Sequence, residues 1–291
     1  MNPRISIIVP CYNQASYIGH TLDSVLAQTC PDWECIVMDD GSADNTREVV
    51  QAYCQKDARI HYFRQENGGV SRARNNAVKQ AAGEFLLPLD GDDLIGSTYV
   101  KEALQYFQEH PETKLVYCLA RRFGDVDEPW LLPEYRYEWL VIENMIFCSA
   151  VFRKADFEKA GGYNENMATG LEDWDFYLNL LGPQDKVHRI EKVLFFYRTR
   201  LGTRTQDATL TEKELTWQIM QNHPELYKEY LLHFRRLHRN RTACLTYEAE
   251  RKLGHILTKP LRMYRQWALL RKYRATSPSE GSADKSSAPS E

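Results

Sequence analysis

Three carboxylates within four residues are the strongest chemical signal in the sequence. Asp90, Asp92 and Asp93 surround a single glycine, Gly91, and follow directly on an apolar stretch. Carboxylates this close repel one another unless a cation lies among them. Mg²⁺ and Mn²⁺ bind one or two protein carboxylates and complete their coordination with water and substrate phosphates. The cluster therefore predicts a divalent-metal site that receives a diphosphate-bearing substrate.

Two other polar turns follow predicted strands, Pro10-Cys11-Tyr12-Asn13 and Asp39-Asp40-Gly41-Ser42. The carboxylates of Asp39 and Asp40 can accept hydrogen bonds from a base or from ribose hydroxyls, and Tyr12 can cover the face of a base. Together these turns predict nucleotide binding. Two alternatives remain for these residues. Asp39 and Asp40 could also contact a metal, or the turns could only reverse the chain or cap a helix.

A glycine turn precedes two arginines in the next part of the chain. Asn67-Gly68-Gly69 leads into a predicted helix whose first turns carry Arg72 and Arg74. Backbone N–H groups at a helix start favour anions, and arginine binds phosphate, so the pattern predicts contact with a phosphate group. The alternative is a surface helix, capped by Ser71, whose arginines are solvated.

A fourth cluster opens a helix that is predicted from about Glu172 to Leu181. Its first turn also contains Asp173 and Asp175. Acidic residues there gain about 0.3–1 kcal/mol from the helix dipole, so capping alone explains the charges. Capping does not explain the flanking Gly170 and Trp174, and the cluster therefore stays a candidate site.

The elements that must position these residues follow an alternating pattern. Short apolar runs alternate with helical patterns through the first third of the chain, which is typical of βαβ units and a mostly parallel sheet. The predicted strands are Ile5–Val9, Cys35–Met38, Ile60–Phe63, Phe85–Leu89, 114–118, 146–152 and 193–197. Pro88 predicts an edge position or a bulge for the fourth strand. Ligands bind at the carboxyl ends of parallel strands, where the polar turns fall.

Charge is distributed unevenly along the chain. The 291 residues contain 37 Lys+Arg and 40 Asp+Glu, a net charge of −3. Residues 235–274 nevertheless contain twelve basic residues against only Glu248 and Glu250. We predict a main α/β domain over 1–210, a basic helical region over 211–275 and a serine-rich, disordered tail over 276–291.

The basic segment 235–274 interleaves leucine and tryptophan with lysine and arginine, which is typical of helices that lie on anionic membranes. A helical pair packed on the acidic main domain is the alternative. Nucleic-acid binding is not expected, because no binding motif accompanies the charge. The absence of a long apolar run and the seven scattered cysteines predict a cytoplasmic protein with reduced thiols, in peripheral contact with the inner membrane face if the basic segment binds there.

In order and spacing, these features resemble the inverting glycosyltransferases of family 2, which have the GT-A fold. The resemblance covers about residues 3–205 and rests on Ser6 to Asn13, Asp39 to Ser42, Asn67 to Asn75, Asp90 to Asp93 and Gly170 to Asp173. It implies a Rossmann-like, mostly parallel sheet flanked by helices, here with a C-terminal helical appendage. It also implies sugar transfer from a nucleoside-diphosphate sugar, with a UDP-sugar expected, to a saccharide or lipid-linked saccharide acceptor in the synthesis of a bacterial surface polysaccharide.

The resemblance also implies roles for individual residues. The nucleotide-binding set would be Pro10, Tyr12, Asp39, Asp40, Arg72, Arg74, Asp90 and Gly91. Asp92, together with Asp90, would bind Mn²⁺ or Mg²⁺. Asp173 of the Glu172–Asp173 pair would be the general base. Many relatives carry a histidine in the segment that closes over the diphosphate, and here Arg200 and Arg204 are the candidates to replace it.

Two other enzyme classes do not fit the first strand and its turn. A sugar nucleotidyltransferase needs a glycine-rich loop there, and a dinucleotide-dependent oxidoreductase needs G-x-G-x-x-G, but no glycine occurs between Pro10 and Gly19. The remaining alternative is a catalytically lapsed homologue that binds nucleotide sugars as a binding or scaffold protein. The presence of both carboxylate clusters disfavours it. Acceptor choice is expected to depend on residues 120–150 and on the C-terminal helices.

Overall fold

The computed structural model describes residues 3–200 and 212–239, with side chains over 3–200 and 214–231. The chain divides into a compact unit, Met1–Leu231, and a second unit, Leu232–Glu291. The description of the second unit is confined to the last two turns of one helix. Arg204, most of the predicted basic region and the predicted tail 276–291 lie outside the described residues.

A single mixed sheet forms the centre of the first unit. Its strands are β1 (Ile5–Cys11), β2 (Trp33–Asp39), β3 (Ile60–Arg64), β4 (Phe85–Pro88), β5 (Leu94–Ile95), β6 (Thr113–Gly124), β7 (Glu128–Trp130), β8 (Val151–Arg153) and β9 (Lys186–Thr199). Their order in the described residues is β3-β2-β1-β4-β8-β6-β9-β5, with β7 paired to β6. Strands β3, β2, β1 and β4 are parallel, as are β6 and β9, and the other pairings are antiparallel. The predicted α/β class is confirmed, although the second half of the sheet is more mixed than the first.

Helices flank this sheet. They are α1 (Ile18–Leu26), α2 (Thr46–Lys56), α3 (Val70–Gln80), α4 (Tyr99–Glu109), α5 (Tyr137–Leu140), α6 (Lys154–Lys159), α7 (Glu172–Leu180), α8 (Glu212–Asn222) and α9 (Pro224–Arg239). Strands β1 and β2 are buried along their whole length, as expected for parallel strands covered on both faces. No described helix is both long enough and apolar enough to cross a membrane.

An aromatic cluster attaches α7 to the sheet. The ring of Phe176 in α7 lies 5.1 Å from that of Phe152 in β8 and 4.7 Å from that of Tyr163, centroid to centroid. All three side chains are buried. Tilted aromatic pairs at such distances add to the stabilisation that comes from burial alone. The helix that carries the Glu172–Asp173 pair is thereby fixed to the core along its inner face.

Two local predictions about the first half of the chain are wrong. Pro88 is neither at an edge nor in a bulge: it is the last residue of β4, paired with Ile8, between β1 and β8. A proline at the end of a strand costs little, because the ladder stops there. Ser71 does not cap α3, because the helix already begins at Val70 after Gly69, whose φ of 87° favours glycine.

The predicted strand over 146–152 is much shorter than expected. Only Val151–Arg153 pairs with neighbouring strands. The carbonyls of the preceding residues accept hydrogen bonds from tyrosines instead: Tyr177 Oη donates to the carbonyl of Phe147 (2.9 Å) and Tyr99 Oη to that of Ser149 (2.7 Å). Strands β6 and β9 are longer than predicted, because they pair in parallel along nearly their whole length with shifts of register.

Candidate active site

The carboxyl ends of β1, β2 and β4 lie side by side, because β1 pairs in parallel with both other strands. The turn after β1 is fixed to the turn after β2: the backbone N–H of Asn13 donates to Ser42 Oγ (2.9 Å), and Asn13 Oδ1 accepts from the N–H of Ala43 (2.8 Å). Asn13 is left-handed (φ 51°), a conformation that asparagine tolerates better than most residues. The predicted convergence of the first two polar turns is therefore confirmed.

Asp39 is fully buried at the end of β2. Its Oδ1 accepts from the N–H of Ser42 (2.8 Å), and its Oδ2 accepts from Tyr62 Oη (2.6 Å). Burial, followed by these contacts with Asp39, raises the pKa of Tyr62 well above its usual range. Arg64 approaches the same oxygen at 3.8 Å. The carboxylate of Asp39 thus stabilises the turn from within.

Asp40 binds the glycine turn that precedes α3. Its Oδ1 accepts from Gln65 Nε2 (2.7 Å) and from the N–H of Gly68 (2.8 Å), while its Oδ2 accepts from the N–H of Gly69 (2.8 Å). Arg72 folds back over this turn and donates to the carbonyl of Glu66 (3.2 Å). One buried carboxylate therefore links the second polar turn to the third.

The remaining predicted nucleoside residues differ in their accessibility. Tyr12 is 50% exposed at the mouth of this edge, whereas Pro10 is buried within β1 opposite Met38. Gly91 leaves no room for a side chain, since a Cβ there would lie 2.2 Å from Gln14 Oε1 and 3.1 Å from Cys11 Cβ. The turn after β4 therefore packs tightly against the turn after β1.

Arg74 connects two carboxylate clusters that are distant in sequence. Its side chain is fully buried; Nη2 donates to Asp90 Oδ1 (2.6 Å) and Nη1 to Glu172 Oε1 (2.9 Å). The guanidinium also lies 5.1 Å from the centre of the Tyr163 ring. The alternative of a solvated surface arginine is therefore wrong for Arg74. The structure brings the Asp90–Asp93 cluster and the Glu172–Asp173 pair to one site.

The Asp90–Asp93 cluster has the character of a cation site. Burial and then the charge of Asp90 raise the pKa of Asp92, and burial and then Asp92 raise that of Asp93 well above its usual range. Asp93 Oδ2 is buried and accepts no hydrogen bond from any described residue. Ligand atoms of Asp90, Asp93 and Cys148 lie within 4.8 Å of one another. The carboxylate oxygens of Asp90 and Asp93 fit a hard divalent cation, whereas the thiol of Cys148 is a softer ligand and the predicted Asp92 is paired with Arg200 instead.

Two arginines at the end of β9 cover this cluster. Arg200 Nη2 pairs with Asp92 Oδ2 at 2.5 Å, and Arg198 donates from Nε to the carbonyl of Asp92 (2.8 Å) and from its backbone N–H to Asp93 Oδ1 (2.8 Å). Both guanidiniums lie over the ring of Tyr17, at 4.4 Å for Arg200 and 5.1 Å for Arg198. Arg200, which the sequence suggests for the diphosphate, therefore lies against the aspartate cluster.

Asp173 is half-buried in the first turn of α7. Burial and then the charge of Glu172 raise its pKa to about 7, against the lowering effects of Arg74 and of a hydrogen bond from Asn144. Its Oδ1 also accepts from the N–H of Trp174 (2.8 Å). A carboxylate whose pKa lies near neutrality exchanges a proton readily at physiological pH, which suits a general base.

Sequence reasoning missed Asn144, Cys148 and Arg198. Asn144 and Cys148 lie in a stretch without clear periodicity, where sequence gives little guidance to position. Arg198 lies in the segment for which only Arg200 and Arg204 were predicted to have a role. Its spacing of two residues from Arg200 was the available signal, because residues i and i+2 of an extended chain point to the same side.

The model of glycosyl transferase family 2 matches residues 6–168. The chain is 28% identical to an uncharacterized glycosyltransferase, EpsJ, of Bacillus subtilis over 71% of this chain and 64% of that protein. It is 29% identical to a chondroitin synthase of Escherichia coli over 65% of this chain but only 28% of the synthase. The chain thus spans less than two thirds of these relatives.

Solved structures show the same fold. S. aureus TarS (residues 1–349, in complex with UDP-GlcNAc) superposes with a TM-score of 0.64 at 24% identity, over 75% of this chain and 64% of that one. The mannosyltransferase PcManGT of Pyrobaculum calidifontis, in complex with GDP-Man and Mn²⁺, gives a TM-score of 0.56 at 20% identity, over 94% and 85% of the two chains. The GT-A fold that the sequence motifs implied is confirmed.

Proposed function

The chain belongs to glycosyl transferase family 2, and from this we propose that it transfers a sugar from a nucleoside-diphosphate sugar to a saccharide or lipid-linked saccharide acceptor. A UDP-sugar is the first donor to test, and a bacterial surface polysaccharide is the expected product. The names of similar proteins, which include a putative teichuronic acid glycosyltransferase and chondroitin synthases, support this direction.

One observation carries the proposal. Arg74 bridges the crowded carboxylates of Asp90 to Asp93 on one side and the Glu172–Asp173 pair on the other. A site with a cation-binding cluster at one end and a carboxylate of pKa about 7 at the other has the two groups that glycosyl transfer requires. Neither group alone would distinguish transfer from simple binding.

On the donor side, we assign the nucleoside to the edge formed by the turns after β1 and β2. Tyr12 is exposed and free to stack on a base, whereas Asp39 and Asp40 shape the turns by accepting backbone hydrogen bonds. The diphosphate would lie toward Asp92 and the arginines of β9. Arg200 would exchange its ion pair with Asp92 for the diphosphate. Arg204, the second candidate for this role, lies outside the described residues.

The reaction follows from these positions. Asp90, Asp92 and Asp93 would bind Mn²⁺ or Mg²⁺, which supplies charge neutralisation to the departing diphosphate. Asp173, as the carboxylate, accepts the proton of the acceptor hydroxyl. The freed oxygen forms a bond to the anomeric carbon, and the bond from that carbon to the diphosphate oxygen breaks with its electron pair. This single displacement inverts the anomeric centre and requires no enzymic nucleophile.

The acceptor would approach along the segment that contributes Asn144. Trp139 and Ile142, three residues apart on one turn, are 50% and 53% exposed. The indole of Trp174 donates to the carbonyl of Leu140 (2.6 Å), so this turn is joined directly to the residue that follows Asp173. An exposed tryptophan on a turn that is joined to α7 offers a surface on which a sugar ring can stack.

Ligand binding followed by turnover tests the proposal. Thermal shifts with UDP, GDP, dTDP and CMP, each with and without Mn²⁺, are measured on the wild type, on Asp92→Ala and on Asp57→Ala as a surface control. A ligand at about a hundredfold over its Kd stabilises by roughly 2.7 kcal/mol, which is a shift of several degrees. We expect a metal-dependent shift with one nucleotide that Asp92→Ala loses and Asp57→Ala keeps, and transfer with the matching sugar donor.

The other outcomes are equally informative. Nucleotide binding without turnover of any sugar donor would favour the catalytically lapsed homologue. A well-folded protein that binds none of the nucleotides would contradict both. Loss of binding to anionic liposomes on deletion of 235–274 would support peripheral membrane contact, whereas unchanged binding would exclude that segment as its cause.

A further inference from the structure

The turn that begins α7 is held in an unusual backbone conformation. Gly170 has φ 139° and Leu171 has φ 60°, and Leu171 is the residue directly before Glu172 and Asp173. A left-handed leucine costs on the order of 1–2 kcal/mol and persists only where its surroundings enforce it. The contacts that enforce it therefore also determine where Asp173 lies.

Asp175 provides one of these contacts. It lies two residues after Asp173, so the two side chains point to nearly opposite sides of α7. Asp175 is fully buried, and its Oδ1 accepts from Asn222 Nδ2 (2.7 Å) and hydrogen-bonds with His223 Nε2 (3.0 Å). These hydrogen bonds on the back of the helix fix its rotation about its axis.

A second contact holds the loop before the turn. Asn166 and Asn222 exchange side-chain hydrogen bonds of 2.9 and 3.2 Å, and Gln218 Nε2 donates to the carbonyl of Asn166 (2.6 Å). Gln218 and Asn222 lie one turn apart on α8, and His223 follows that helix. The end of α8 therefore binds the chain on both sides of the Gly170–Leu171 turn.

We propose that Asn222 and His223 are positioning residues for the base Asp173, acting through Asp175 and the Gly170–Leu171 turn. The inference rests on the proposed function, since it assumes that Asp173 accepts the acceptor proton. The family match ends at residue 168, so these positions lie beyond it. A misplacement of about 1 Å at a reacting group can cost roughly a hundredfold in rate, so contacts distant from the chemistry can determine it.

The ionisable surroundings of both carboxylates are known. Asp173 interacts with Glu172, Arg74, Cys148, Tyr163 and Tyr177. Asp175 is approached by His223 and by Tyr227, whose pKa is raised to about 12 by burial and then by Asp175. Only Asp175 interacts directly with residue 223 among the described acidic side chains, so a change at 223 reaches Asp173 through the helix.

The test compares three substitutions in or next to α8. His223→Leu removes the hydrogen bond to Asp175, and His223→Gln keeps a side-chain donor. Ile219→Ala weakens the same helix through a buried side chain without polar atoms and leaves the backbone hydrogen bond from His223 to residue 219 in place. We expect kcat to fall roughly 10- to 100-fold in His223→Leu with an unchanged KM for the donor. His223→Gln should recover most of this loss, and Ile219→Ala should keep kcat close to wild type despite a lower Tm. Equal loss of kcat in His223→Leu and Ile219→Ala, or wild-type kcat in His223→Leu, would overturn the proposal.

A second measurement does not depend on turnover. The change in Tm caused by Asp173→Asn at about pH 8.5 is measured in the wild type and in His223→Leu. If residue 223 positions Asp173, the Tm gained by removing the charge of Asp173 is smaller in His223→Leu than in the wild type. The effects of the two substitutions on Tm are then not additive. Additive changes in Tm would refute positioning whether or not the enzyme is active, while a wild type without transfer would refute only the proposed function.

Discussion

The donor side and the base side of the site are built in different ways. On the donor side, carboxylates bind turns that are near in sequence: Asp39 binds the N–H of Ser42, and Asp40 binds Gly68 and Gly69, 28 and 29 residues on. On the base side, the contacts join distant parts of the chain, with 98 residues between Arg74 and Glu172 and 48 between His223 and Asp175. The nucleoside turns of the donor side are thus assembled from neighbouring βα units. The base depends on distant parts of the chain, as does the aspartate cluster at the other end of the donor side, where Arg200 and Asp92 are 108 residues apart.

This difference predicts how the two sides respond to change. Substitutions on the donor side should act locally on nucleotide binding. Substitutions on the base side should alter rate, pH dependence and stability together, because the same contacts serve all three.

The largest effect is expected at the base itself. Asp173→Asn should lower kcat by roughly 10²- to 10⁴-fold, the usual contribution of a general base, with little change in nucleotide affinity. In the wild type, kcat should rise as the pH increases through about 7, because burial and Glu172 raise the pKa of Asp173 to that value and only its carboxylate accepts a proton. Initial rates between about pH 5.5 and 8.5 measure both effects.

The same residue gives a stability prediction of defined sign. The raised pKa means that the folded state resists ionisation, so wild-type stability should fall as the pH rises from about 4 to about 7. Asp173→Asn should remove this loss and raise Tm relative to wild type at about pH 8, but not at pH values below about 4. A Tm difference that is equal at both ends of the range would contradict the raised pKa.

The second largest effect concerns the bridge between the two sides. Arg74→Met should cost up to about 3–5 kcal/mol of unfolding free energy, because it removes a fully buried guanidinium from between the partly buried carboxylates of Asp90 and Glu172. Arg74→Lys should recover only part of this loss, since an ammonium group cannot reproduce the two-pronged geometry of a guanidinium. Urea unfolding measures both variants. A decrease in the free energy of unfolding of less than about 1 kcal/mol in Arg74→Met would show that the two carboxylate clusters do not need the arginine between them.

A smaller effect is expected on the donor side. Asp40→Ala should cost about 1–3 kcal/mol, because it removes the acceptor for Gln65, Gly68 and Gly69. Hydrogen exchange of the Gly68 and Gly69 amides should speed up, and nucleotide affinity should fall while the pH midpoint of kcat stays in place. Asp57→Ala, which removes the partner of Arg59, is the control and should leave nucleotide affinity unchanged. A shifted pH midpoint in Asp40→Ala would erase the distinction between the two sides.

The smallest effect is expected at the acceptor surface. Trp139→Ala should raise the acceptor KM by roughly 3- to 10-fold, which corresponds to about 1 kcal/mol of lost contact, and leave donor affinity unchanged. Trp217→Ala is the matched control, since Trp217 is 60% exposed on α8. Equal effects of the two substitutions on acceptor KM would argue against a sugar-binding role for Trp139.

The two sides also differ in how well their residues could be predicted from the sequence. The donor side was predictable because each polar turn directly follows an apolar strand, and parallel strands bring such turns to one edge. The Arg74 bridge was not predictable, because a guanidinium on the first turns of a helix is usually solvated and its partners lie in two other parts of the chain. Asn144 had no signal at all, since its segment is shaped by hydrogen bonds from Tyr99, Tyr177 and Trp174 rather than by a period of its own.

Strand β9 sets a limit on how this chain can vary. Arg198 near the end of the strand and Arg200 directly after it both lie over Tyr17 beside the aspartates. Inserting or deleting a single residue between Phe196 and Arg198 would reverse the side to which each of these residues points and present Thr199 to Asp92 in place of a cation. Loops elsewhere can change length at little cost in stability. In this strand, a change of one residue alters which side chains face Asp92. Length variants of β9 should therefore be rarer among functional sequences than substitutions within it.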